Sequence, residues 1–327
     1  MTIQDHPLAT QFNRLTPEQV LDAVEVGGRR CTGRFLALNS YENRVYQFEL
    51  EDDSWVVGKF YRPGRWSRKI ILAEHGFLAE LNEVEIPVAC PLDLGGGETL
   101  GVVGGIFFSL FPRIGGRSPQ ELNDDQLRIL GRLLGRIHNV GAGRETTARM
   151  KLLPGTYGQA NLDFLRSKEI IPAEARDIYV ATVEMLLRRI EPLFLDVPLH
   201  RIHGDCHLSN LIETSAGPTF LDFDDMVVGP AVQDVWMLVP SFDGHGQAQR
   251  ETLLEAYVEF REFKPGWLRL IEPLRALRYI HYATWIARRW QDPAFQQTFV
   301  HFGTIQYWQK EILDLREQIA RLDHEVL

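Results

Sequence analysis

The chain has 327 residues, of which 45% are hydrophobic, 24% charged and 10% aromatic, with a formal net charge of −9. That composition supports a packed core and excludes disordered, collagen-like and coiled-coil classes, and the length suits about two lobes. With 35 Lys and Arg against 44 Asp and Glu, and no basic tract, the balance argues against nucleic acid or an anionic membrane as the main partner.

Three scattered cysteines, Cys31, Cys90 and Cys206, are too few for a disulfide framework and suit a reducing compartment. No run approaches the ~18–20 apolar residues of a spanning helix, and the first dozen residues carry no signal-peptide pattern. The chain therefore reads as soluble and cytoplasmic.

In chain order, residues up to about 112 read as β-rich. Arg44–Leu50 and residues 55–61 have the β-branched and aromatic enrichment of paired strands, joined by the acidic turn Glu51-Asp52-Asp53-Ser54, and a third strand runs over 105–111. Between them Ser67 is placed as an N-cap, followed by Ile70, Ile71, Phe77, Leu78 and Leu81 at helical spacing. The glycines Gly95-Gly96-Gly97, Gly101, Gly104 and Gly105 precede a strand rather than a helix and predict a β-hairpin turn. From Leu122 the pattern is mainly helical. Asn123 or Asp124 caps a helix bearing Leu127, Leu130, Leu134 and Ile137, with further helices expected at about 173–190, 247–260, 267–290 and 304–325. Only two short β-like runs, near 211–212 and 219–221, interrupt this half.

The densest chemistry is His203-Gly204-Asp205-Cys206-His207-Leu208-Ser209-Asn210, followed by Asp222-Phe223-Asp224-Asp225 after an apolar run. Phosphoryl transfer from a nucleotide needs a carboxylate beside the attacking hydroxyl and hard oxygen ligands for magnesium. Asp205, Asn210 and Asp222 supply those types in order. A zinc site from His203, Cys206 and His207 is the weaker alternative, because no second ligand pair follows. Lys59, set among Val56, Val57 and Phe60, is costly in an apolar strand unless a carboxylate or phosphate meets it.

These motifs resemble the aminoglycoside phosphotransferase and choline kinase group, relatives of the protein kinases. Further strings over 38–48, 59–63, 229–234, 271–276 and 289–295 are similar to the bacterial stress response kinases, which are Ser/Thr protein kinases. The resemblance implies an α+β, bilobal protein-kinase-like fold, with a nucleotide-binding lobe over 1–112 and a catalytic and acceptor-binding lobe over 113–327. It implies ATP as donor, Mg2+, and a protein Ser/Thr hydroxyl or a small hydroxyl compound as acceptor. By position, Asp205 takes the role of catalytic base, and Asn210 and Asp222 hold the metal, Asp222 also acting in catalysis. Ser40, Lys59 and Glu74 serve the nucleotide. Ser40 lies in the loop covering the phosphates, Lys59 holds them, and Glu74 orients Lys59. The hinge facing adenine falls at Ser109–Phe111. Gly204 stands where protein kinases carry a phosphate-reading arginine, so control by an activation-segment phosphate is not expected.

Other residues carry structural expectations. His138 reads as a core histidine and Asp234 as a brace for the catalytic loop. Arg288-Arg289-Trp290 reads as a solvated helix face, and Trp285, Trp290 and Trp308 as core.

Overall fold

The computed structural model describes Phe12 and residues 15–324. Residues 1–11, part of the N-terminal stretch discussed above, and residue 325 of the last expected helix lie outside them. Helix α1 (Pro17–Glu25) opens with Thr16 and Gln19 capping one another and covers one side of a five-stranded antiparallel sheet. The sheet comprises β1 (Cys31–Leu38), β2 (Arg44–Leu50), β3 (Trp55–Phe60), β4 (Gly101–Val103) and β5 (Ile106–Pro112), in the order β1-β2-β3-β5-β4. Phe48, Val56, Phe60, Phe108 and Leu110 form its core with Val20 and Val24 of α1.

Both α1 and β1 were missed by hydropathy. Strand β1 is exposed at most positions, so burial imposed no alternation on it. The Gly95–Gly97 cluster forms a turn fastened by Asp93, whose carboxylate accepts from the amides of Gly95 and Gly97. The hairpin itself turns at Gly104 and Gly105, both at positive φ.

Helix α2 (Arg68–Glu83) starts at Ser67, whose hydroxyl accepts from the Ile70 amide at 3.4 Å. Its Phe77, Leu78 and Leu81 join the large core of the following region. That region contains α3 (Asp124–Gly143), α4 (Ala160–Ser167), α5 (Ala173–Ile190), β6 (His200–Ile202), β7 (Leu211–Thr214), β8 (Gly217–Phe220), β9 (Val227–Gly229), α6 (Val232–Leu238), α7 (Gly244–Tyr257), α8 (Ile271–Arg289), α9 (Pro293–Thr298) and α10 (Ile305–His324). Strands β7 and β8 fall on the two short β-like runs of the sequence and pair as a hairpin. A second pair, β6 with β9, was not anticipated. At three residues each, these strands are too short to show a period.

Asn123 caps α3 in a reciprocal box with Gln126. Gly131 and Gly135 let α3 run close to the backbone of α7, where a Cβ would strike the carbonyls of Leu253 and Tyr257. No helix among the described residues is long and apolar enough to cross a membrane.

Candidate active site

The antiparallel pair β6/β9 and the β7/β8 hairpin nested between its strands bracket the loops that carry the chemistry. Asp205 and Asn210 lie between β6 and β7, and Asp222, Asp224 and Asp225 lie between β8 and β9. All five line one cleft of about 630 Å³, together with Ser40 and Asn43 from the β1–β2 link.

The loop before Asp205 is held by Asp234 at the start of α6. Its two carboxylate oxygens accept the amides of His203 and Gly204, each at 2.8 Å. His138 presents Nε2 to the same carboxylate at 3.1 Å and Nδ1 to the Tyr257 hydroxyl at 2.9 Å, with no exposed surface. Both residues thus have the bracing and core roles the sequence suggests. Gly204 has φ +85°, and a Cβ there would strike the Asp225 carbonyl. The position therefore refuses the arginine found in protein kinases. His203 spends Nε2 on the Leu221 carbonyl at 2.8 Å, and Cys206 is wholly buried. Among the described residues no three His, Cys, Asp or Glu side chains gather as a metal set, so His203, Cys206 and His207 do not form one.

Asn210 donates through Nδ2 to the Asp205 carbonyl at 2.9 Å, which leaves its amide oxygen uncommitted. Asp222 sits in the left-handed region at φ 56°, a strained setting for a non-glycine residue, and its side chain is half-exposed toward the cleft. Lys59 takes one of its oxygens at 2.7 Å, and no hydrogen bond engages the other. An amide oxygen and a carboxylate oxygen in one cleft are the hard donors that suit Mg2+, whose remaining positions go to water and phosphate. The donor set fits the ion the sequence implies.

Lys59 is buried and also reaches Asp224 at 2.6 Å. Burial disfavours its charge, but the carboxylates of Asp222 and Asp224 more than compensate and hold the ammonium protonated. This corrects the expected pair with Glu74. Glu74 is buried on α2 and instead meets Arg149 at 3.3 Å, and burial plus the nearby Asp224 charge pushes its carboxyl up to about 8. No hydrogen bond or ion pair joins it to Lys59 among the described residues. A helix-period argument could place Glu74 on the correct face but had no means of finding Arg149, which lies in an irregular segment.

Asp224 is engaged further by Asn43 at 2.6 Å and Arg65 at 3.4 Å, and Asp225 by Arg65 at 2.6 Å. Protein cations thus already contact both carboxylates, while the Asp225 side chain stays 44% exposed.

On the β1–β2 link, the Ser40 hydroxyl accepts from the Asn43 amide at 3.2 Å and the residue is exposed. Glu42 is buried within reach of Arg62, Arg65 and Arg289, and accepts from the Trp285 indole at 2.8 Å. Arg289 is therefore a buried partner of the β1–β2 link, which corrects its placement on a solvated face. Arg288 lies over the Phe164 ring. Trp308 is core as expected and Trp290 packs on Phe302, whereas Trp285 lines the cleft.

The expected hinge at Ser109–Phe111 is mid-strand. Ser109 and Phe111 pair with Lys59 and Val57, and the Leu110 carbonyl accepts from Leu92.

Asp205 faces Arg278 of α8, Oδ1 to Nη1 at 2.9 Å, and His207 at 3.3 Å. Burial raises its carboxyl, but His207 and Arg278 outweigh this and keep it below the usual carboxylate range. Asp205 is thus ionised and can accept a proton. Arg65, Arg149 and Arg278 were missed by sequence reasoning, since no spacing links them to the motifs they serve.

A phosphotransferase model, described as the phosphotransferase enzyme family, matches residues 34–272. The chain belongs to that family. It is 40% identical over 318 residues, 97% of this chain and 96% of the relative, to stress response kinase A of Salmonella choleraesuis strain SC-B67. It is 39% identical, with the same coverage, to a protein of Salmonella typhimurium strain LT2 named serine/threonine protein kinase RdoA. Among solved structures it is similar to amicoumacin kinase hAmiN in complex with AMP-PNP, Ca2+ and Ami. The TM-score is 0.74 at 19% identity, covering 93% of this chain and 96% of that one. The α+β kinase-like fold is therefore the family's, and this family member is a phosphotransferase with a hydroxyl acceptor.

Proposed function

We propose that the chain is an ATP- and Mg2+-dependent kinase whose acceptor is a Ser or Thr hydroxyl of a protein, acting in a stress response. The observation that carries the reading is the convergence of Asp205, Asn210 and Asp222 on one cleft beside the Lys59–Asp222 pair. The protein acceptor is supported by relatives named as stress response and serine/threonine kinases over nearly the whole chain.

In this reading Asp205 receives the hydroxyl proton and holds the acceptor oxygen in line with the γ phosphorus. The new oxygen–phosphorus bond forms as the bond from the γ phosphorus to the bridging oxygen breaks, and the electron pair leaves with ADP. Asn210 and Asp222 would hold the magnesium, which would neutralise charge on the phosphate oxygens. Lys59 contributes its ammonium to the phosphates, and Ser40 with neighbouring amides covers them. Glu74 serves indirectly, through Arg149, whose guanidinium also donates to the Asp224 carbonyl. Rate enhancement comes from positioning and electrostatics.

Incubation with γ-labelled ATP and Mg2+, alone and with cell extract cleared of small molecules, tests the reading. Label in protein bands is expected. Label confined to added small alcohols would replace the protein acceptor with a small one.

A further inference from the structure

The wall of the cleft facing Asp205 is built by α8, which contributes Leu274, Arg278, His281, Tyr282 and Trp285 and no carboxylate. His281 is stacked on Tyr157 at 4.5 Å, and burial together with the neighbouring Arg278 pushes its imidazole down to about 3. It brings no charge at neutral pH.

Two guanidiniums line the cleft among the described residues, Arg65 and Arg278. Arg65 is buried, its side chain 8% exposed, and committed to Glu42, Asp224 and Asp225. Arg278 is 43% exposed and has Asp205 as its carboxylate partner. That contact is close but poorly aligned, for Asp205 Oδ1 is buried with no hydrogen-bond partner. The guanidinium therefore lies over the oxygen that an acceptor hydroxyl needs, without using its lone pairs.

An acceptor can reach Oδ1 only if Arg278 turns away, and an anion on the acceptor offers the guanidinium a new charge-assisted partner as it does so. A cationic acceptor meets the reverse situation. It would approach a guanidinium, and Asp224 and Asp225 already meet Lys59 and Arg65.

We propose that Arg278 sets the acceptor class, admitting a hydroxyl carried beside an anionic group: a Ser or Thr flanked by Asp or Glu. The flanking carboxylate takes the guanidinium as the hydroxyl takes Asp205. This deepens the protein-kinase reading and rests on it.

The test compares Ser peptides that differ only in flanking residues, acidic, neutral or basic, using the full chain with ATP and Mg2+. Acidic flanks are expected to be preferred over basic ones by about tenfold or more in kcat/KM, mainly through KM. Arg278→Ala should bring the ratio near one, Arg278→Glu should invert it, and Arg278→Lys should keep part of it. Circular dichroism and ATP affinity establish that each variant is folded. A wild-type preference for basic flanks, no preference, or an unchanged ratio in folded Arg278→Glu overturns the inference while leaving the protein-kinase reading standing. If no peptide is phosphorylated, a hydroxy acid is compared with an amino alcohol. Faster transfer to the hydroxy acid retains Arg278's role and removes the protein acceptor, and faster transfer to the amine, or none to either, removes both.

Discussion

Glu42, on the link between β1 and β2, meets Arg289 at the end of α8 at 2.6 Å, and the two side chains are almost fully buried. Burial opposes the Glu42 charge, but Arg65 and Arg289 outweigh it and keep its carboxyl below the ordinary range. Close by, Arg62 reaches Asp292, which caps α9, at 2.8 Å. The strings around 38–48, 59–63 and 289–295 are thus adjacent in space, and their charges form one buried cluster tying the sheet to the helical region.

Glu42→Ala would leave three guanidiniums together with one anion fewer. Removing one partner of a buried ion pair costs about 3–5 kcal/mol. The urea midpoint should fall accordingly, and ATP affinity should fall with it because the link that bears Ser40 loses its anchor. A stability change within ~0.5 kcal/mol would mean the cluster contributes little.

Asp234→Ala should damage turnover more than nucleotide affinity. It strips the acceptors from the His203 and Gly204 amides and from His138, and a buried donor left unpaired costs about 1–3 kcal/mol. The loop that aims Asp205 loosens, whereas Lys59 keeps both its carboxylate partners. Steady-state kinetics with an ATP titration separate the two effects. A variant weakened in ATP binding alone would contradict the bracing role.

Much of this site was legible in the sequence because it is local. Asp205, Asn210 and Asp222 are spaced by short loops around an apolar strand, and all three line the cleft. Asp234 carries its signal in the apolar residues around it. The partners of these groups were not legible. Glu74 pairs with Arg149 and Lys59 with Asp224, separations of 75 and 165 residues. Only the packing of α2 and β3 against the helical region creates them. In the fold, periodicity found the long amphipathic helices and the buried strands, and failed for exposed β1 and the three-residue β6 and β9, where burial imposes no pattern.

Stability should peak near pH 6.5. Burial depresses the imidazoles of His75, to about 4, His281, to about 3, and His200, to about 2. The unfolded chain therefore binds more protons below 6.5, and stability falls with acid. Burial raises Glu74 to about 8 and Glu311 to about 7. From about 4.5 upward the folded state holds protons that the unfolded chain has released, and stability falls as pH rises. The two effects oppose one another between 4.5 and 6.5. Above 6.5 the glutamates act alone, and below 4.5 the histidines are joined by Asp205, Asp224 and Glu42, whose lowered carboxyls also make stability fall with acid. Urea midpoints from pH 4 to 8.5 measure this, and a steady rise to pH 8 would contradict it.

Lys59→Ala should weaken ATP binding by about 1.5–3 kcal/mol, the scale of one charge-assisted contact. The fold should survive, because Asp224 retains Arg65 and Asn43. Isothermal titration with ATP and Mg2+ reads the affinity, and circular dichroism reads the fold. Unchanged affinity in a folded variant would remove Lys59 from the nucleotide site.

Asp205→Asn tests the chemistry most directly. The carboxylate is ionised, faces the cleft and has one oxygen free of hydrogen bonds. The amide is nearly the same size but cannot take up the acceptor proton, so turnover should fall by ~10²-fold or more. Ground-state ATP binding does not use this carboxylate and should stay near wild type, or tighten slightly with one negative charge fewer. Arg278 would lose its partner, so protein stability should change little, since that guanidinium is 43% exposed. Single-turnover transfer from labelled ATP, with ATP affinity measured in parallel, separates the effects. Full turnover in the variant would refute Asp205 as the base, and equal inactivity of variant and wild type on every acceptor would point to a fold that binds nucleotide without transferring phosphate.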